Sequence, residues 1–309
     1  MSSRPSPRLV AAIDVETSGL RIPSQTKPGE RPSQCIALGI IIIDTRWPGI
    51  PELGRGYWEI RFDPENYHWD PETEPFHGFT REYLADKPTM AQVGNEVYAF
   101  LRQYLDVNAR NLPLGHNPAV FDVGFFEQVI SASGHNKVLG YRSVDSFTAS
   151  YNLYGIQNSD DLFTCLGLER GEYHNALRDI EASVELFRHV RRLGNRNLIE
   201  HGLPPVETPA YAREVVSAYL EARESPTFRG LGLMFEKGRK RPVWYHCEGA
   251  GDPIFSPVDT ALKGGLTQMM VDGLAIESSP GMPAGNGTSL TMLSFPFLEP
   301  GATPIKMPA

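Results

Sequence analysis

The feature that most constrains this chain is an apolar run near its start that ends in two carboxylates, residues 9–20 (LVAAIDVETSGL). Its small and β-branched residues predict a strand that is buried on both faces. Successive side chains on a strand alternate, so Asp14 and Glu16 share one face while Val15 points to the other. Two like charges on a core strand are costly to bury unless a cation neutralises them. The pair is therefore a candidate metal site, although acid-x-acid triplets also occur by chance on solvated surfaces.

Composition limits the classes of protein that come into question. The length of 309 residues allows one large domain, or one domain with a smaller companion. No apolar run approaches the ~20 residues that a membrane span requires, and the polar first eight residues lack a signal-peptide pattern. The net charge of −8 argues against a protein that coats nucleic acid without specificity. Three widely spaced cysteines, Cys35, Cys165 and Cys247, favour a reducing, cytoplasmic setting without disulfides or zinc.

The pattern of apolar residues predicts an α/β domain with a mixed sheet. Besides the first strand, strands are predicted at 36–44, 56–62, 111–115 and 141–145, and helices at 89–104, 120–132, 160–168 and 175–193. Asp160 or Ser159 is the predicted cap of the 160–168 helix. The predicted organisation is a flexible N-terminus (1–7), the α/β domain (8–195), a linker rich in Gly and Pro (196–209) and a small irregular C-terminal appendage (210–309).

Two further stretches supply acids. Asp122 stands almost alone among apolar residues at a predicted helix start, where the helix dipole favours its charge, and a simple helix cap explains it equally well. Asp179 adjoins the apolar stripe of the 175–193 helix, and His174 precedes it by five residues. Residues five apart on a regular helix lie roughly 140° apart. His174 and Asp179 can therefore meet only if His174 lies in the loop before the helix.

Taken in order, the motifs Asp14-x-Glu16-Thr17, Asn117-x-x-x-Phe121-Asp122 and His174-x-x-x-x-Asp179 resemble those of the DEDDh family of 3′–5′ exonucleases. The stretch at 76–88, with FHGFT followed by LADKP, resembles the HGIT…DKP segment of that family. The resemblance covers about residues 8–193. Two departures stand out: Ser18 replaces a common second Thr, and the loop at 21–33 is longer than usual. Asn175 occupies the place where the sister family has a tyrosine.

The resemblance implies a ribonuclease-H-like fold with a five-stranded mixed sheet flanked by helices. It also implies hydrolysis of single-stranded DNA or RNA from the 3′ end with release of nucleoside monophosphates. Two divalent cations, Mg²⁺ or Mn²⁺, would be held by four acids, and His174 would be the general base. The implied ligands are Asp14, Glu16, Asp122 and Asp179, and the implied contacts to the terminal nucleotides are Thr17, Phe76, His77, Asn117 and Phe121. Phe121 could equally be core packing, and His77 a loop hydrogen bonder.

Several alternatives stay open at this point. The same fold could bind a nucleic-acid end or a protein without cleaving, although all four acids and the histidine are present. The chain could also be a structural protein that acts through residues 200–309. Sequence does not separate DNA from RNA, because that discrimination depends on a few contacts to the 2′ position. A polymerase or replication partner and a homodimer are further candidates; a membrane partner is not expected.

Overall fold

The structure is a computed structural model that describes residues 9–47, 49–169, 173–206, 208, 210–224, 228–236, 239–247, 253–257, 260–277, 282–283 and 289–298. The predicted flexible N-terminus, 1–7, lies outside these residues. The chain divides into two compact units, one of Met1–Thr45 with Glu52–Val190 and one of Arg46–Pro51 with Arg191–Ala309. Within the described parts of the chain, every helix is too short or too polar to cross a membrane.

The first unit contains a five-stranded mixed sheet with the strand order β3-β2-β1-β4-β5. Its strands are β1 (Leu9–Thr17), β2 (Cys35–Asp44), β3 (Glu52–Glu59), β4 (Leu112–Gly115) and β5 (Val144–Asp145). β1 is antiparallel to β2 and parallel to β4, and β4 is parallel to β5. The central place of β1 agrees with its almost wholly apolar sequence, since a middle strand is covered on both faces.

Seven α-helices of the described residues accompany this sheet. They are α1 (Glu74–His77), α2 (Arg81–Leu84), α3 (Met90–Leu101), α4 (Asp122–Ala132), α5 (Ser146–Tyr154), α6 (Ser159–Leu166) and α7 (Ala176–Glu200). The structure thus confirms the predicted α/β class, with a five-stranded mixed sheet flanked by helices. Helix α3 begins with a capping box in which Thr89 and Gln92 exchange hydrogen bonds, which sets its first turn.

The two faces of β1 have different neighbours. Ala11, Ile13 and Val15 are buried in one cluster with residues of α3 and α4, such as Val97 and Phe126. Asp14 and Glu16 alternate with them and therefore point to the opposite face. Because the carboxyl ends of the parallel strands β1, β4 and β5 meet at one edge of the sheet, the segments that follow these strands come together beside the acids.

The second unit contains a six-stranded sheet. Its strands are β6 (Phe228–Glu236), β7 (Arg239–Cys247), β8 (Pro253–Pro257), β9 (Ile276–Glu277), β10 (Met282–Pro283) and β11 (Ser289–Ser294). The order is β10-β11-β6-β7-β8, and β9 pairs with β11. Helices α8 (Arg213–Arg223) and α9 (Thr260–Val271) contribute to its buried cluster, for example Leu220 and Met269. This unit has more regular structure than its Gly- and Pro-rich sequence predicts.

Some element boundaries differ from the sequence prediction. Strand β3 begins at Glu52, four residues before the predicted start. The sequence did not reveal these first residues, because the edge strand is half-buried along its length and lacks an apolar run. Helix α7 continues to Glu200, into the predicted linker. The cap of α6 is neither Asp160 nor Ser159: the Asn158 side chain accepts a hydrogen bond from the Asp161 N–H, so the helix begins at Ser159.

Candidate active site

The start of α7 lies close against the face of the sheet that carries the acids. Gly39 on β2 pairs with Asp14 on β1, so the two share one face. A Cβ at Gly39 would lie 2.9 Å from the backbone of both Ala176 and Leu177, which leaves no space for a side chain. The absence of a side chain at this position allows the first turn of α7 to approach the sheet. Asp179, in that first turn, is thereby brought beside the strand acids.

Three carboxylates form one cluster at this point. Asp14, Glu16 and Asp179 each offer an oxygen, and these oxygens all lie within 4.8 Å of one another. Glu16 is only 7 % exposed, so the cluster is removed from bulk water on one side. Carboxylate oxygens are hard ligands that suit hard cations such as Mg²⁺ and Mn²⁺. The donor set of the described residues therefore fits a divalent metal ion.

Asp122 is not one of the three acids of this cluster, and it contacts β1 from the start of α4. It is the first residue of α4, after Phe121 at the N-cap position, and its Oδ1 accepts a hydrogen bond of 3.2 Å from the Val15 N–H. The side chain is 3 % exposed. Burial, together with the smaller effect of the Asp179 charge, raises the pKa of Asp122 to about 7. A simple helix cap does not fully describe Asp122, because its carboxylate also contacts the backbone of β1, and positive charge beside it would favour its ionised form.

His174 lies in the loop before α7, which begins at Ala176. Its Nδ1 lies 3.6 Å from Oδ2 of Asp179, so the loop brings together two side chains that a continuous helix would separate. The His174 N–H donates a hydrogen bond of 2.7 Å to the Phe76 carbonyl, and the two rings meet edge to face with centroids 6.2 Å apart. The side chain of His174 is 38 % exposed, far more than Glu16 or Asp122.

A cavity of about 450 Å³ opens over these groups. All four acids and His174 line it, together with each residue that the sequence assigned to the substrate: Thr17, Phe76, His77, Asn117 and Phe121. Phe76 is 61 % exposed and can contact a ligand. Phe121 both lines the cavity and packs against Phe125, at a centroid distance of 4.9 Å. Its two sequence interpretations, substrate contact and core packing, are thus compatible.

Two of the predicted substrate residues are held by hydrogen bonds to neighbouring segments. Thr17 donates its hydroxyl to the Gly19 carbonyl at 2.8 Å. Asn117 has a left-handed backbone with φ of 59°, which asparagine tolerates well, and its N–H donates to Oδ1 of Asp145 at 2.8 Å. Asp145 also caps α5 by accepting from the Phe147 N–H. It therefore fixes the loop after β4 at the edge of the cavity.

His77 is a buried group, 5 % exposed, at the end of α1. Its Nδ1 accepts a hydrogen bond of 3.0 Å from the Phe79 N–H, and its ring stacks on the Phe79 ring. Burial lowers the pKa of His77 to about 4, and the nearby His174 acts in the same direction. His77 is consequently neutral at physiological pH. Because its Nδ1 accepts a hydrogen bond, the single ring proton lies on Nε2. Both sequence interpretations find support, since the residue hydrogen-bonds its own loop and also lines the cavity.

Sequence reasoning missed several residues of the cavity wall, including Leu20, His116, Val120, Phe163 and Ser183. Leu20 carried the clearest signal, because it is a large apolar residue directly after the acid strand, and it is 73 % exposed on the cavity wall. His116 stands next to Asn117 in sequence, and its Nδ1 lies 3.4 Å from the Ser146 hydroxyl. Ser183 carried no signal, since its position depends on how α7 packs on the sheet.

Comparison with protein families gives a match over more than half of the chain. The model of the RNase_T family, described as exonuclease, matches residues 11–187. This range includes all four acids and His174, in the order set out above. The chain therefore belongs to this exonuclease family, and its motifs are those of the DEDDh-type 3′–5′ exonucleases. No curated protein matches the chain.

Solved structures of exonucleases are also similar. A complex of E. coli ExoI with single-stranded DNA matches with 12% identity and a TM-score of 0.48, over 77% of this chain and 51% of that one. The nuclease domain of 3′hExo, a DEDDh family member bound to rAMP, matches with 14% identity and a TM-score of 0.44, over 62% of this chain and 96% of that one. The chain thus spans about half the length of the exonuclease I structures that it matches.

Proposed function

We propose that this protein is a metal-dependent 3′–5′ exonuclease that releases nucleoside monophosphates from the 3′ end of single-stranded DNA or RNA by two-metal-ion hydrolysis. The observation that carries the proposal is the cluster of Asp14, Glu16 and Asp179, whose oxygens lie within 4.8 Å of one another on the wall of a cavity. A charged cluster of this kind at the edge of a core sheet is costly without a cation, so its presence argues for a functional site.

The four acids are the proposed ligands, and Mg²⁺ or Mn²⁺ the proposed ions. Asp14, Glu16 and Asp179 would share one face of the site, while Asp122 approaches from the start of α4. When bound, divalent ions make a coordinated water more acidic and offset negative charge on the phosphate oxygens. The raised pKa of Asp122 fits this proposal, since a buried carboxyl group regains its charge when a cation lies beside it.

His174 is the proposed general base. Because its Nδ1 faces the Asp179 carboxylate at 3.6 Å, we assign the proton acceptor to Nε2. Nε2 takes a proton from the attacking water as the water oxygen bonds to phosphorus. The bond between phosphorus and the 3′ oxygen of the penultimate nucleotide then breaks, which frees a nucleoside 5′-monophosphate. The shortened strand is left with a 3′-hydroxyl group, whose proton comes from solvent.

The terminal nucleotide is proposed to lie in the cavity of about 450 Å³, a volume within the usual range for small-molecule sites. Leu20 and Phe76 are exposed there and offer apolar surface to a base, and stacking on such surface does not depend on base identity. Thr17 and Asn117 are the proposed polar contacts to the sugar and its 3′-hydroxyl. Binding in the cavity favours a free single-stranded 3′ end, because a terminal base that is stacked in a duplex cannot enter it.

The test uses one sequence as 5′-labelled DNA and as RNA, incubated with Mg²⁺, with Mn²⁺ or with EDTA. We expect a ladder of products that shorten from the 3′ end in either metal and no shortening in EDTA. The nucleic acid, DNA or RNA, that is shortened faster is the preferred substrate. Asp14→Asn should lower the rate by at least about 100-fold, since a lost metal ligand removes several kcal/mol of transition-state stabilisation. Glu96→Gln, at an exposed position of α3, is the matched control and should cleave like wild type.

Two results would contradict the proposal. Tight binding of the oligonucleotide without shortening in either metal would favour the end-binding module. Shortening that continues in EDTA, or that Asp14→Asn leaves above a few per cent of the wild-type rate, would remove the acids from the mechanism.

A further inference from the structure

His174 lies between two open spaces. It lines the cavity of about 450 Å³ on the acid side, and it also lines a second cavity of about 380 Å³ whose wall includes Tyr57, Glu59 and Tyr83. A side chain that lines two cavities is less densely packed than a core residue, whose rotamer is fixed by its neighbours. The contacts that the loop makes around His174 therefore add to its own contacts with Phe76 and Asp179 in setting its position.

Those contacts fall on the residues immediately before and after His174. On the C-terminal side, Oδ1 of Asn175 accepts hydrogen bonds from the N–H groups of Leu177 and Arg178, which ties Asn175 to the start of α7. On the N-terminal side, the ring of Tyr173 lies on Gly78. A Cβ at Gly78 would lie within 3.0–3.1 Å of three carbon atoms of that ring. Tyr173 is 48 % exposed, but its ring lies so close to Gly78 that a Cβ at residue 78 would require the ring to shift.

Gly78, which contacts the Tyr173 ring, is itself held in place by the fold. Gly78 ends α1 in the left-handed conformation, with φ of 72°, and its N–H donates to the Glu74 carbonyl at 2.8 Å. The neighbouring Phe76 carbonyl accepts the His174 N–H at 2.7 Å. The C-terminal end of α1 therefore holds two successive residues of the loop, one by ring contact and one by a backbone hydrogen bond.

We propose that Tyr173 is a positioning residue, whose ring on Gly78 keeps the His174 backbone against the Phe76 carbonyl and the imidazole beside the acids. This proposal rests on the proposed function, in which His174 is the base. Tyr173 does not need its hydroxyl group for this purpose, because the ring carbons make the contact. The ring is replaceable by another aromatic ring but not by a methyl group.

The kinetic test uses hydrolysis of thymidine 5′-(p-nitrophenyl phosphate), which reports cleavage with a single nucleotide bound. Tyr173→Ala should lower kcat by about 10- to 100-fold with little change in KM, because a displaced base costs rate and not ground-state affinity. Tyr173→Phe should keep the wild-type kcat, because it keeps the ring. Tyr141→Ala, which removes an aromatic residue that is 84 % exposed on another loop, is the control and should change neither constant.

A double variant separates positioning from other roles. If Tyr173 acts through His174, Tyr173→Ala should have no further effect on kcat in the His174→Ala background. Additive losses would overturn the proposal, as would a Tyr173→Phe variant that is as slow as Tyr173→Ala. Gly78→Ala should also lower kcat, because its Cβ would shift the ring and because a φ of 72° strains a residue that has a side chain.

A measurement independent of activity keeps this proposal distinct from the proposed function. Hydrogen exchange followed by NMR should show a protected His174 amide in the wild-type protein, because that N–H is hydrogen-bonded to Phe76. Exchange should be about tenfold faster in Tyr173→Ala and unchanged in Tyr141→Ala. Equal protection in all three proteins would overturn the positioning role even if the chain cleaved nothing. If the His174 amide exchanges faster in Tyr173→Ala but the wild-type protein has no nuclease activity, the positioning contact is supported and the proposed function is wrong.

Discussion

The acids and the histidine of this site are supported by very different parts of the molecule. Asp14 and Glu16 stand on β1, the middle strand of the sheet, and Glu16 is only 7 % exposed. His174 stands on a loop between two cavities, with a side chain that is 38 % exposed. A metal site needs ligands at fixed separations, whereas a base must reach a water and then lose its proton to solvent. The rigid strand and the exposed loop suit these two tasks.

The largest expected effect concerns a buried acid. Asp122→Asn should lower the rate of cleavage by about 1,000-fold, because a neutral amide cannot replace a carboxylate beside a divalent ion. The melting temperature without metal should stay the same or rise. The amide oxygen can still accept the Val15 N–H, and a 3 % exposed charge has been removed. Cleavage assays and thermal unfolding in EDTA measure the two effects. A variant that unfolds easily and regains activity when stabilised would show that Asp122 is structural.

The next largest effect concerns the loop. His174→Ala should lower kcat by about 100-fold or more, the usual contribution of a general base. Because the side chain is partly exposed, the melting temperature should stay within about 2 °C of wild type. Affinity for Mn²⁺ should also be kept, in contrast to the acid variants. If His174→Ala strongly lowers the melting temperature as well as the activity, His174 is a structural residue, and the contrast between the buried strand and the exposed loop is wrong.

A smaller effect concerns His77, on the helix that supports the loop. Its pKa of about 4 in the folded protein lies below the ordinary value of 6.5, so the unfolded chain binds the proton first. Protonation between these values therefore favours unfolding, and the stability that neutral His77 contributes is lost as the pH falls from 6.5 towards 4. His77→Asn removes this loss. The free energy of unfolding of wild type should fall more than that of the variant between pH 7.5 and 5, by on the order of 1 kcal/mol.

Chemical denaturation of both proteins at the two pH values measures this difference directly. Identical falls would mean that His77 titrates normally and is open to water. In that case α1 would be a looser support for the loop than its contacts indicate.

The same contrast explains what could be predicted from sequence. β1 and β2 are runs of buried apolar residues, and α7 carries an apolar stripe at helical spacing, so their type follows from local pattern. The acids stand at the ends or starts of these elements, where their spacing is visible. Helix geometry alone shows that His174 and Asp179 can meet only if His174 lies before α7, and the structure places it there.

Other features depend on contacts between distant segments. The contact of the Tyr173 ring with Gly78 requires the left-handed turn at Gly78, about a hundred residues earlier in the chain. No local pattern indicates that these two residues meet. The same holds for Gly39, whose missing side chain admits α7. In the second unit, β11 pairs with β6, and such pairing between segments far apart in sequence leaves little trace in the periodicity of a Gly-rich chain.

The most direct test of the central claim, that the clustered carboxylates hold divalent ions, is a titration of Mn²⁺ followed by electron paramagnetic resonance. It is made with thymidine 5′-monophosphate present as product, on wild type, on Asp179→Asn and on the control Glu96→Gln. We expect two Mn²⁺ ions per chain for wild type and for the control, and the loss of at least one in Asp179→Asn. The same count of bound Mn²⁺ in all three proteins would contradict the account.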